Sequence, residues 1–353
     1  MSAPRTLPPP RRPEPRSVPA LRWAVMGTGW VARRFTDSLH RYTDQRVVAV
    51  GSREAGVAVR FAAEHGIDRA HGSYEALAAD PGVDVVYVAL PHQLHRPAAE
   101  LAIGAGRHVL VEKPLALDVA DATAVYAAAS AASVGCFEAH WTAFLPRTDV
   151  VRQVVAAGWL GELRTVLGDH GERFDPAHRI WDPAMAGGAL LDLGTYLTSF
   201  ALEVLGPVQS LQAQGQLTAT GVVGESAAVL THAGGALSVL HTSMVTTTPT
   251  AASLAGTEGL LSLPAPFFMP GDVVLSSPTG QEIATWREPE PVRHAGLYHS
   301  AIEVAFRLGR GELDTPWRSQ EAVLANLAVL DAWAAAIGAH RGARGAEGAS
   351  HAG

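Results

Sequence analysis

The chain has 353 residues, a net charge of −7 and a pI near 6.1, so it is long enough for two domains and lacks the basic excess that would mark nucleic acid or an anionic membrane as its partner. Hydrophobic residues make up 48% and charged residues 17%, which places it among globular chains and excludes a low-complexity one. A single cysteine, Cys136, excludes an internal disulfide framework and fits a reducing, cytoplasmic compartment; its run "SVGCFEAH" reads as core.

Residues 1–20 hold seven prolines and four arginines and no apolar signal segment, so they are expected to form a disordered tail. From 21 to 139 short apolar runs alternate with helical stretches. "RWAVMG", "RVVAVGS", "VDVVYVALP", "RHVLVE" and "VGCFEAH" read as buried strands. "WVARRFTDSLHRY", "GVAVRFAAEHG" and "RPAAELAIGAG" read as helices between them, and Asp118 as the N-cap of "VADATAVYAAASAAS". Continuous apolar strands separated by helices predict an α/β, doubly wound parallel sheet of the Rossmann type.

After about Trp141 the period changes. "RTDVVRQVVAAG" and "GGALLDLGTYLTSFALEVLG" read as helices. Two hairpins follow, turning at Gly234-Gly235 and at Pro278–Gly280, and a helix from about Arg318 to Ile337 closes the fold. This predicts an α+β domain over 140–338 with a large, mainly antiparallel sheet, and a flexible Gly/Ala-rich tail over 339–353. No apolar run approaches the ~20 residues that cross a bilayer.

"VMGTGWVA" carries Gly27, Gly29 and Ala32 in G-x-G-x-x-A spacing at the end of the first strand. There Gly27 makes the tight turn, Gly29 admits a pyrophosphate, and a helix N-terminus offers free N–H groups. Gly27, Thr28, Gly29, Trp30 and Val31 are therefore cofactor candidates. At the end of the second strand, where an acidic residue would bind the 2′-hydroxyl of NAD, stand Ser52 and Arg53. A hydroxyl and a guanidinium suit a 2′-phosphate, so NADP is expected, with NAD as the alternative.

Ligands of open α/β sheets bind at the carboxyl ends of strands. Two such ends carry unusual residues, Leu90-Pro91-His92 with His95, and Glu112-Lys113-Pro114. Lys113 is placed to hold a substrate oxygen and to lower the pKa of a nearby acid. In the second half, Asp192 and Tyr196 are four residues apart on one predicted helix face, behind Gly187 and Gly188, which permit close approach of backbone to a ligand. Tyr196 near Lys113 is expected to be a proton donor and acceptor with a lowered pKa. No H-E-x-x-H or Cys-rich cluster points to a metal, and no G-x-S-x-G or Walker A sequence points to a serine hydrolase or P-loop enzyme.

"GTGWVA", "EKP" and "GGALLDLGTY" together resemble the Gfo/Idh/MocA oxidoreductase family, over roughly residues 21–337. "FEAHWTAFLP" and the tyrosine at 196 are most similar to its branch of dimeric dihydrodiol dehydrogenases, NADP-linked xylose dehydrogenases and glucose–fructose oxidoreductase. The resemblance implies hydride transfer between a nicotinamide and a sugar, polyol or cyclic diol. Lys113 and Tyr196 become the catalytic pair, Asp192, His92 and His95 line the site, and Trp141 is a ring-stacking wall for substrate. It also implies pairing of subunits through the sheet face into a dimer or larger homo-oligomer. Two features depart from the branch: Val57 stands where a second arginine is common, with Arg60 as a substitute, and Ala143 replaces an arginine in "WTAF". An NAD-dependent glycosidase and a non-catalytic dinucleotide sensor are the rival readings.

Overall fold

The computed structural model describes residues 6–289 and 293–339. Six strands, β1 (Arg22–Met26), β2 (Arg46–Gly51), β3 (Arg69–His71), β4 (Val85–Val88), β5 (His108–Glu112) and β6 (Cys136–Ala139), form one parallel sheet in the order β3-β2-β1-β4-β5-β6. Helices α1 (Trp30–Tyr42), α2 (Ala55–His65), α3 (Tyr74–Ala78), α4 (His95–Gly104) and α5 (Val119–Ala132) make the crossovers. β4 is buried at every position, as a strand covered on both faces must be, which is why it reads as an unbroken apolar run. β3 escaped the sequence reading because it is a three-residue edge strand, Arg-Ala-His, with no apolar signature. The strand order reverses between β1 and β4, which pair in parallel with Met26 opposite Val88, the kind of switch point outside whose carboxyl ends ligands of open α/β sheets bind.

Helix α6 (Pro146–Ala156) leads into the second sheet. Its strands are β7 (Leu163–Gly171), β8 (Val208–Leu217), β9 (Val223–His232), β10 (Leu237–Ser243), β11 (Ala252–Gly256), β12 (Leu260–Leu263), β13 (Val273–Ser276) and β14 (Glu282–Trp286), in the order β14-β13-β12-β11-β7-β10-β9-β8. Every pairing is antiparallel except β7 with β10. Both expected hairpins form, the first with Gly235 at φ +79° and the second with Gly280 at φ +82°.

One face of this sheet packs against α7 (Thr195–Leu205) and α9 (Gln320–Ala336). Alternation along β7, β9 and β10 turns Leu167, Val229, Leu237 and Val239 to the opposite face, where each is more than 40% exposed. Helix α9 joins the two halves: Val323 and Leu327 enter the core of the first, and Trp333 enters that of the second, donating to Ser226 Oγ at 2.7 Å. Helix α8 (Tyr298–Gly309) packs against α1. Among the described residues one segment, Pro183–Leu205, is long and apolar enough to pass for a membrane span by length and composition only, and 83% of its most apolar window is buried inside the protein. Core packing accounts for its apolar character.

The N-terminal expectation also needs correction. Residues 6–20 lie on the body of the protein as a strap. Leu7 and Val18 are buried, and Arg11 pairs with Asp149. Arg12 lies over one side of the Trp317 ring at 5.0 Å, and Arg152 lies over the same ring at 4.7 Å. Each of these two arginines donates to the Ala143 carbonyl at 2.8 Å. Composition alone had pointed to disorder, but it does not report that Leu7 and Val18 find apolar cover or that Arg11 and Arg12 find acceptors and a ring on the folded body. Of the expected C-terminal tail, only Ala339 lies among the described residues.

Candidate active site

The turn after β1 is built for close approach. Gly27 has φ +110°, and a Cβ there would meet the Ala89 carbonyl oxygen at 2.4 Å, so only glycine fits. A Cβ on Gly29 would meet nothing within 4 Å. Helix α1 starts at Trp30 with no side-chain cap, leaving its first-turn N–H groups for an anion. Thr28 and Val31 are half-buried beside this turn, Trp30 is exposed, and Leu90 comes within 3.0 Å of the Gly27 Cβ position, so Leu90 and Pro91 flank the same cradle. At the other end, Ser52 is buried and Arg53 is exposed beside the Tyr74 hydroxyl. Arg60 folds back so that its Nη1 lies 3.5 Å from a Cβ placed on Gly56, toward the start of α2. Glycine cradle, uncapped helix and basic far end fit a nicotinamide dinucleotide.

At the end of β5 the Lys113–Pro114 bond is cis. Lys113 Nζ donates to the Asp192 backbone oxygen at 2.7 Å, lies 3.7 Å from Asp192 Oδ1, and stands 5.0 Å from the centre of the Tyr196 ring. Glu112 is tied down behind it, accepting from the Tyr87 hydroxyl and from the Lys113 N–H at 3.2 Å. Burial raises the Glu112 carboxyl above its ordinary range. Asp192 receives Arg179 at 2.9 and 3.2 Å through both oxygens, and His92 Nε2 lies 3.4 Å from Oδ1. Burial alone would raise the Asp192 carboxyl; His92, Lys113 and Arg179 reverse that and hold it well below the carboxylate range. The site therefore gathers Lys113, Asp192, Tyr196, His92, Glu112 and Trp141.

Asp192 and Tyr196 do not share one α-helix. Residues Leu190–Gly194 form a π-helical turn, and α7 begins at Thr195. The wider turn swings the Asp192 carboxylate toward Lys113 while Tyr196 stays on the face that meets β7. Tyr196 is boxed by rings, with His140, His170 and Phe268 at 4.9, 5.5 and 4.9 Å. Its hydroxyl accepts from Trp141 Nε1 at 3.2 Å. Trp141 in turn stacks on His294 at 5.8 Å, and His294 meets Trp30 edge-on at 4.8 Å. The expected lowering of the Tyr196 pKa is reversed. Burial, then Glu112, with Glu172 and Asp192, pushes this phenol well above its ordinary value, because the ammonium of Lys113 sits over the ring and not at the hydroxyl. Tyr196 is a neutral phenol.

Other placements differ in role. His95 is fully buried, with its ring nitrogens 2.7 and 2.8 Å from the carbonyls of Pro114 and Leu90, and burial holds its pKa down at about 3. A neutral ring donates to one of these carbonyls, so His95 braces the two strand-end turns against each other. Gly187 and Gly188 make their close approach to protein. A Cβ on Gly187 would strike the Ile180 carbonyl oxygen at 2.3 Å, and Gly188 has φ +112° against Val223. They seat the turn that delivers Arg179. Arg179, the His170–Glu172 pair, Phe268 and His294 were given no role from the sequence; Glu172 and Arg179 fall in the stretch "ERFDPAHRIWDPAMAGG", which shapes the pocket but carries no periodic signal, and His170 lies near the end of strand β7, which precedes it. Among the described residues no group of three or more His, Cys, Asp or Glu is arranged to hold a metal.

Cradle, strand-end lysine and buried tyrosine define a nicotinamide-dependent oxidoreductase. Comparison with known proteins agrees. Residues 21–140 match the oxidoreductase family with an NAD-binding Rossmann fold, and 148–262 match the Gfo/Idh/MocA C-terminal domain. Trans-1,2-dihydrobenzene-1,2-diol dehydrogenase of Macaca fascicularis is 35% identical over 84% of this chain and 91% of its own length. The Bos taurus enzyme of the same name is 36% identical over 72% of this chain and 78% of its own. Among solved structures, a 3-ketoreductase from Actinomadura kijaniata, in complex with NADP and TDP-benzene, superposes with a TM-score of 0.81 at 27% identity, covering 90% of this chain and 98% of that one. The chain belongs to the Gfo/Idh/MocA oxidoreductase family, and it is an NAD(P)-dependent enzyme acting on CH–OH groups.

Proposed function

We propose that this enzyme interconverts a secondary alcohol and its ketone on a hydroxylated ring, a cyclic diol or a sugar, with NADP as the preferred cofactor. The observation that carries the reading is the convergence of Lys113, Asp192 and Tyr196 at the carboxyl ends of β4 and β5, beside the cradle of Gly27 and Gly29. A nicotinamide dinucleotide held by Gly27, Gly29 and the N-terminus of α1 would supply hydride-transfer chemistry at this place. In the reducing direction Tyr196, a neutral phenol, hands its proton to the nascent alkoxide while Lys113 holds that oxygen. In the oxidising direction Tyr196 takes the proton back. Asp192, ionised and clamped by Arg179, fixes the Lys113 ammonium through its backbone oxygen and carboxylate. His92 lies on the same carboxylate, and Trp141, 3% exposed and stacked on His294, acts on the site through its hydrogen bond to the Tyr196 hydroxyl rather than as an open ring-stacking wall.

NADP is supported by Ser52 and Arg53 at the end of β2 and by Arg60 reaching back over Gly56, with no carboxylate at the position of Ser52. The reading includes a cytoplasmic enzyme that assembles as a homodimer or larger homo-oligomer through its open sheet face. A screen of aldoses, polyols and cyclic diols with both cofactors, followed by nicotinamide absorbance, tests the substrate class. Lys113→Met should lower turnover by roughly 10²-fold or more while NADPH affinity changes little; unchanged turnover would remove Lys113 from the chemistry. Arg53→Ala should weaken NADPH much more than NADH, and equal losses would show that NADP is not selected here.

A further inference from the structure

We propose that Glu172 is a specificity-determining residue that accepts a hydrogen bond from a second hydroxyl of the substrate, next to the reacting carbon, and repels anionic analogues. This rests on the function proposed above. Strand β7 presents alternate side chains to α7. Val166 is buried there, a Cβ on Gly168 would lie 2.9 Å from Leu197, and the His170 ring lies 5.5 Å from Tyr196. The intervening Leu167 faces away and is exposed. A period of two carries Glu172 to the Tyr196 side, one step past the end of the strand.

The Glu172 side chain is 43% exposed, whereas that of His170 is 1% exposed. His170 Nε2 lies 2.9 Å from Glu172 Oε1, and among the described residues no hydrogen bond engages Oε2. His170 is itself fixed, stacked on Phe268 at 4.5 Å, with its Nδ1 buried and unpartnered. Burial keeps the imidazole neutral, so it donates from Nε2 and orients the carboxylate. That hydrogen bond, with Lys113 and His294 adding to it, holds Glu172 below the ordinary carboxylate range. The His170 ring links this carboxylate to the proton-transfer site, 2.9 Å from Glu172 Oε1 on one side and 5.5 Å from the Tyr196 ring on the other. A rigid, half-exposed carboxylate with a free oxygen beside a proton-transfer site is an acceptor for a hydroxyl.

The test compares trans-cyclohexane-1,2-diol, cyclohexanol and trans-2-hydroxycyclohexane-1-carboxylate, with the full chain saturated in NADP. Both kcat/KM and calorimetric affinity are measured for wild type, Glu172→Ala and Glu172→Gln. The diol-over-cyclohexanol preference should fall about 10- to 100-fold in Glu172→Ala, chiefly through KM. Glu172→Gln should keep part of that preference and bind the carboxylate better than wild type does, which a purely structural role would not produce. Equal diol-to-cyclohexanol ratios in the three proteins, or no preference in wild type, would overturn the proposal. Should none of the three ring compounds turn over while calorimetry still shows a diol preference that needs Glu172, the redox reading on such rings fails and the anchor stands.

Discussion

Tyr196 sits among three aromatic or imidazole rings and near three carboxylates, and this fixes its proton. Burial, then Glu112, Glu172 and Asp192, raises its pKa, so the phenol stays protonated across neutral pH and above the ordinary tyrosine value of about 10. The sign of the pH dependence follows. Carbonyl reduction needs the protonated phenol and should be insensitive to this group through neutral pH. Alcohol oxidation needs the phenolate, so its rate should climb as pH rises toward 10. Rate profiles measured in both directions at saturating cofactor check this, and an oxidation rate flat from pH 7 to 10 would rule out Tyr196 as the base. Lys113 and Tyr196 were legible as residues because each stands beside an unmistakable signal, a strand followed by proline and a Gly-Gly helix entry. Their electrostatics were not, because the ammonium position over the ring face is a consequence of tertiary packing.

At the scale of elements, the parallel sheet was readable because strands buried on both faces leave continuous apolar runs. The hairpins of the second sheet were readable because glycine must occupy their positive-φ turns. The π-helical turn at Leu190–Gly194 was not, since a widened turn leaves the same apolar composition as an α-helix. Nor was the turn bearing Arg179, whose position depends on contacts with Gly187 and Gly188 that no periodicity reports. Those contacts make a prediction. Gly187→Ala would push a Cβ against the Ile180 carbonyl, which cannot rotate away, so the 179–188 turn must shift. Overpacking of this kind costs about 1–3 kcal/mol. Thermal unfolding should show a clearly lower Tm, and KM should rise as Arg179 leaves Asp192. A variant with wild-type Tm and KM would mean that the turn is not seated by that glycine.

On the scale of the whole molecule, the open face of the second sheet stands out. Leu167, Val239 and Val229 are register neighbours across β7, β10 and β9, and Leu237 is the next outward position on β10. Together they form an apolar stripe of the kind that marks an interaction surface. A second copy of this chain is the occupant expected in the function proposed above. Leu167→Glu combined with Val239→Glu should then convert the wild-type assembly into monomers with intact cofactor binding, as read by light scattering. A wild type that is already monomeric at high concentration would refute the assembly.

The column of Trp30, His294 and Trp141 reaches from the turn after β1 to the Tyr196 hydroxyl, with an indole at each end. Indole emission overlaps the absorption band of reduced nicotinamide. Excited-state energy from these two rings should therefore pass to a dinucleotide lying along the cleft, and the protein carries its own optical reporter of cofactor docking, with Trp30→Phe and Trp141→Phe separating the contributions of the two ends.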